Sequence, residues 1–156
     1  MKFKILFAAT AALLLAACTP EGDAELTREA VNPWDWGAGF GFNQGEIVSG
    51  TSRTLYLAGQ TSVDENGEVI HGDDPRAQFE TAFANLDTVL AAADMDRSNV
   101  VRLTVFTTNV GAIIENWDVY MARYAEAGNT PPVTLIGVAS LFEPELIVEI
   151  EAVAVD

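Results

Sequence analysis

Two glutamates, Glu149 and Glu151, interrupt the last apolar run of this 156-residue chain, Leu146 to Ala154. Carboxylates can work as general acids or bases when something holds them beside a reacting group. Along a strand, side chains alternate between faces. Leu146, Val148, Ile150, Ala152 and Ala154 therefore share one apolar face, while Ile147, Glu149, Glu151 and Val153 share the other. Carboxylates among apolar neighbours suit a largely covered surface that must accommodate charge, such as a subunit contact or a pocket floor. The alternative is an edge strand whose acidic face meets water.

Other chemistries have little to draw on. The chain has one histidine, His71, and one cysteine, Cys18, so neither a His/Cys metal site nor an internal disulfide can be built, and no cofactor is implied. Both lysines, Lys2 and Lys4, lie at the N-terminus, which excludes a lysine Schiff base in the body. Eight basic residues against 23 acidic ones give a formal net charge of -15. That balance argues against a nucleic-acid partner, because such affinity comes mainly from Lys and Arg neutralising phosphates.

The N-terminus reads as an address. A basic start and an apolar run from Ile5 to Ala17 fit a secretory signal and are too short to span a bilayer comfortably. Leu15-Ala16-Ala17-Cys18 resembles the bacterial lipobox, in which the cysteine is lipidated and becomes the first mature residue. The other reading is a buried cysteine after a plain signal peptide. Thr19 follows in place of the aspartate associated with inner-membrane retention, which favours an outer-membrane lipoprotein facing the periplasm. The expected organisation is a signal peptide over 1–17, a polar tether over 18–31 and one domain over 32–156, with the membrane touched only through the lipid.

The elements that must position Glu149 follow in order. Asn32 to Gly45, rich in aromatics and glycine, has neither strand nor helical period and suits a loop over a sheet or along a cleft. Glu46–Ser49 and Thr54–Ala58 read as strands joined by a turn-rich link, and Asn66-Gly67 marks a further hairpin. Asp74-Pro75 starts a helix whose apolar stripe is Phe79, Phe83, Leu86 and Leu90. A strand over 99–108 sets Val101, Leu103 and Val105 against Arg102, Thr104 and Phe106. A second helix is expected over 111–127, with Ile113, Trp117, Tyr120 and Tyr124 as its core stripe and Gly128 as its stop. After Pro131-Pro132, Val133 to Ala139 reads as a buried strand. Two single-striped helices cover one face of a mixed sheet, and identical subunits could bury the other.

From about Phe42 onward the chain resembles the RidA family, also called YjgF or L-PSP endoribonuclease. The resemblance rests on Tyr56-Leu57-Ala58-Gly59-Gln60, Asn66-Gly67-Glu68, Gln78, Asn85-Leu86, the run Val100 to Phe106, and Val148 to Ala154. It implies a chorismate-mutase-like α+β fold, a homotrimer and small-molecule clefts between subunits. Active members hydrolyse enamines and imines to ketoacids and ammonia, and a Pro-x-Arg-Ser run supplies an arginine that clamps the substrate carboxylate. Here that run is Pro131-Pro132-Val133-Thr134, so Val133 stands at the arginine position. By the same resemblance Phe42 replaces a cleft tyrosine, Ala58 a serine and Leu135 a cysteine, while Gly59, Phe106 and Thr134 complete the implied ligand-binding set.

The resemblance makes Glu149 the candidate catalytic residue, holding or activating the attacking water. With the arginine gone, the pocket is expected to be mostly apolar with a carboxylate in its wall. Desolvation of such a group favours its neutral form and suits it to proton transfer. The alternative is a structural Glu149, hydrogen-bonded across a subunit contact. Arg102 is the nearest cation by the same comparison, or else a solvated or interface arginine. Trp34, Trp36, Phe40 and Phe42 suit an aromatic lid, or else core or trimer packing. Three functions compete: a hydrolase or deaminase for a small, weakly charged or uncharged substrate, a binding trimer without chemistry, and RNA cleavage, which the charge disfavours.

Overall fold

The computed structural model describes residues 25–126 and 128–156. The proposed signal peptide and Cys18 lie outside the described residues. Nine regular elements follow: β1 (Thr27–Val31), β2 (Gly45–Ser49), β3 (Thr54–Gln60), α1 (Pro75–Ala92), β4 (Val100–Thr107), α2 (Val110–Glu115), α3 (Asp118–Arg123), β5 (Val133–Gly137) and β6 (Val148–Val155). Two 3-10 helices join them, Asp35–Phe40 between β1 and β2 and Arg97–Asn99 before β4.

The principal sheet has the order β3-β6-β4-β5, with β4 and β5 parallel and the other pairs antiparallel. The terminal strand is therefore interior, which removes the edge-strand reading. Its alternation holds: Val148, Ile150, Ala152 and Ala154 are buried, while Glu149 and Glu151 point to the opposite face. On the apolar face α1 lies along β6 and β3. The α1 stripe forms as expected, since Asp74 caps the helix by accepting from the Ala77 N–H at 3.0 Å, and Phe79, Phe83, Leu86 and Leu90 are fully buried. Truncating Leu86 to alanine would cost about 2–5 kcal/mol.

Several expectations need correction. Thr27–Val31, assigned to the tether, pairs antiparallel with β2 as a separate two-stranded sheet, so β2 and β3 do not pair with each other. Arg28 fastens this hairpin to the domain, donating to both Glu46 carboxylate oxygens and to the Ser98 and Val100 carbonyls. The hairpin at Asn66-Gly67 is reduced to one bridge, Val63 with Val69. In β4 a register shift between Val100 and Arg102 leaves Val100, Leu103, Val105 and Thr107 buried, displacing Val101 from the core face.

The expected second helix is two helices. Asn116 ends α2 by donating its side-chain N–H to the Ala112 carbonyl at 2.9 Å, and the chain resumes helical hydrogen bonding after Trp117. Ile113, Tyr120 and Tyr124 reach the core, whereas Trp117 is only partly buried. Finally, β5 is an edge strand ending at Gly137, and it is half-buried rather than buried.

Two family-pattern side chains act as internal pins. Gln78, fully buried, donates to the carbonyls of His71, Gly72 and Glu145 and accepts from the Ile147 N–H at 2.7 Å. Asn85 donates to the Thr61 and Val63 carbonyls, both at 2.9 Å. Together they tie the turns around the first helix to the start of β6, which sets where Glu149 emerges.

Candidate functional site

The sheet separates the residues expected to form one pocket into two groups. Register pairs Leu103 with Val133, Thr104 with Thr134 and Val105 with Leu135. Since Leu103 and Val105 belong to the core, Val133 and Leu135 face the helix side, and Thr134 faces the open side. Glu149 is opposite Phe106 across the β6–β4 pair, so both share that open side with Thr134. Ala58 follows buried Leu57 in β3 and belongs there too.

On the open side, the seat of Glu149 is made by a glycine. Between Leu57 and Gln60 the β3–β6 register shifts. A Cβ added at Gly59 would fall 1.7 Å from Glu149 Oε1, 2.5 Å from its Cδ and 2.7 Å from its Cγ. The carboxylate thus occupies space that any other residue would fill. Ion pairs among the described residues use Glu46, Asp156, Glu80, Asp118 and Asp87 as their acids, leaving Glu149 outside them. On the same face the Arg102 guanidinium donates to Thr134 Oγ1 at 2.6 Å. An exposed Tyr56 and a small hollow among Tyr56, Arg102, Thr104, Glu151 and Val153 complete this face. Its mixture of apolar and charged groups is open in a single chain.

On the helix side a cavity of about 330 Å³ is lined by Trp36, Phe40, Phe42, Ile114, Trp117, Val133 and Leu135. No lining side chain is ionisable. The aromatic loop that forms one wall is fastened by Trp117 Nε1, which donates to the Phe40 carbonyl at 3.0 Å, and by the Tyr120 hydroxyl, which donates to the Gly41 carbonyl at 2.9 Å. Gly41 has φ 75°, and a Cβ there would meet Met121 Sδ at 2.3 Å, so this point fits only glycine. Burial pushes the Tyr120 hydroxyl well above the usual phenol range, which keeps it a neutral donor.

Trp36, Phe40 and Phe42 line this cleft in a single chain, with Trp36 and Phe40 exposed rather than packed into the core, while Trp34 lies in a neighbouring hollow. Ile114 and Trp117 were missed because a continuous helix would have buried the indole. Asn116, a residue that competes for backbone hydrogen bonds, was the available signal for a break. Within one chain the apolar cavity contains no carboxylate, since Glu149 is on the other face. Among the described residues, no cluster of His, Cys, Asp and Glu is placed to hold a metal ion.

A mixed four-stranded sheet with its helices on one face, and a candidate site split between its two faces, defines a chorismate-mutase-like α+β protein of the Rid class. The profile of the family described as Endoribonuclease L-PSP matches residues 40–156, and the chain belongs to that family. The Myxococcus xanthus protein DfrA is 37% identical over 104 residues, covering 66% of this chain and 76% of its own. The 2-iminobutanoate/2-iminopropanoate deaminase of Rattus norvegicus is 34% identical over 104 residues, covering 66% of this chain and 73% of its own. In structure, the Rid-family protein YyfB of Yersinia pestis superposes with TM-score 0.73 at 33% identity, covering 83% of this chain and 98% of that one.

Proposed function

We propose that this protein hydrolyses a small reactive imine or enamine, with Glu149 as the proton-transfer group. The supporting observation is the Glu149 carboxylate seated over Gly59, outside the ion pairs of the described residues. In this reading the carboxylate takes a proton from water as the water oxygen bonds to the C=N carbon. The same proton returns to nitrogen to give a carbinolamine; the carboxylate then carries the hydroxyl proton to nitrogen as the C=O bond forms and the C–N bond breaks, so that a carbonyl compound and ammonia leave. A site that uses both Glu149 and the apolar cavity needs two copies of the chain, because they open on opposite faces of the sheet. Assembly as a homotrimer, which the family resemblance implies, would join one copy's open face to a neighbour's cavity. Lipidation at Cys18 would hold the assembly at the outer membrane, facing the periplasm.

The test is ammonia release from imines generated in situ by an amine oxidase or an amino-acid oxidase. Glu149→Gln should lower turnover by about 10²–10⁴-fold while the oligomer persists in sedimentation. Unchanged turnover in that variant refutes the mechanism. A second reading, a binding trimer without chemistry, draws on the absence of ionisable side chains from the cavity lining. Saturable binding without product would favour it. RNA cleavage is opposed by the net charge of -15, which repels a polyanion.

A further inference from the structure

Val133 and Leu135, on the helix side of β5, form one wall of the 330 Å³ cavity, and Trp36, Phe40, Phe42, Ile114 and Trp117 form the rest. We infer that this cavity selects a neutral, flat apolar group, a substituted aromatic ring in size, and rejects carboxylates; the inference deepens the hydrolase reading by naming its substrate class. An apolar cavity of about 150 Å³ accommodates benzene, so this one has room for a ring and its substituent. Its polar edge is already used: the Trp117 N–H is donated to the Phe40 carbonyl and the Tyr120 hydroxyl to that of Gly41. A carboxylate entering here would lose its water and gain no donor from the lining residues of this chain, a cost that neutral apolar groups escape. Within one chain the Arg102 guanidinium lies on the opposite face of the sheet, where it donates to Thr134 Oγ1 at 2.6 Å.

The wall is also preformed. Trp36 packs edge-on against Phe42 at 5.9 Å between ring centroids, Phe40 stacks on Phe42 at 6.4 Å, and the backbone between them is locked at Gly41. A ligand therefore meets fixed aromatic surface and spends little on ordering it.

Two of the three tryptophans of the chain line the cavity, so their emission reports its occupancy. Purified protein is titrated with 2-phenylacetamide and with phenylacetate, which match in shape and differ in charge, by tryptophan fluorescence and by calorimetry. The amide should bind about tenfold or more tightly than the carboxylate. Val133→Arg should reverse that order, and Phe40→Ala, at an exposed position, should weaken amide binding if the arginine variant fails to fold. Equal affinity for the two ligands, or no binding of either, overturns the inference. Amide binding lost while turnover still depends on Glu149 would sink the cavity and spare the hydrolase reading. Amide binding retained with turnover absent, or indifferent to Glu149→Gln, would do the reverse.

Discussion

Replacing Gly59 with alanine tests the carboxylate's seat without touching the carboxylate. The added methyl carbon would fall 1.7 Å from Glu149 Oε1 and 2.7 Å from its Cγ. Contacts below 3.0 Å are essentially never occupied, so the Glu149 side chain must retreat by more than an ångström. Both Cδ and Cγ are affected, and a rotation at the chain end alone cannot relieve the overlap. The open face of the sheet gives the displaced side chain somewhere to go, and Gly59 is not in the left-handed region, so alanine fits the backbone. The stability cost is therefore that of a changed rotamer, about 1 kcal/mol. A catalytic group displaced by about 1 Å can cost about 10²-fold in rate. Ammonia release should thus fall by about two orders of magnitude, while the urea midpoint drops by about 0.3–1 M and the protein stays folded in buffer. Parental turnover in a folded Gly59→Ala protein would refute the view that this position holds the reacting group.

Three further outcomes are expected. Arg28→Ala strips the ion-pair partner from Glu46, whose side chain is only 6% exposed, and should cost about 2–3 kcal/mol in chemical denaturation. Gln78→Leu removes the acceptor of the Ile147 N–H and the donor to three carbonyls, which should cost about 3 kcal/mol or more and loosen the entry to β6, seen as faster amide exchange at Ile147. Hydrogen bonds from Ser98 hold the Asp96 carboxyl below its ordinary value of 3.8, and hydrogen bonds from Arg76 and Arg53 do the same for Asp118 and Asp156. Because each folded value is depressed, their stabilisation is complete above that ordinary value and is lost as pH falls through the folded ones. Thermal melts should therefore show a decline that begins below about pH 4.

The elements that can be read directly are those in which one local pattern matches one environment. β6 alternates cleanly because it is interior with one covered face, and α1 has a cap, an N1 proline and an unbroken stripe. Other features depend on partners distant in sequence. β1 is Thr-Arg-Glu-Ala-Val, mostly exposed, and is fastened to the domain through Arg28, which reaches Glu46, Ser98 and Val100. The second helix has the right period, yet Trp117 turns its N–H to Phe40, 77 residues away. Most of the candidate residues were individually visible, including Gly59 beside Gln60, whereas Ile114 and Trp117 were not. Their division between two faces was not, since it depends on the parallel register that sets Val133 beside Leu103.

That register makes β5 a partition one residue thick. Positions 133 and 135 address the aromatic compartment, and 134 and 136 address the surface that carries Glu149. A saturation library across the strand would sort by parity, with odd sites altering what is admitted and even sites altering what is done to it or how copies meet. Natural drift could likewise retune ligand preference along this strand while leaving the opposite compartment intact.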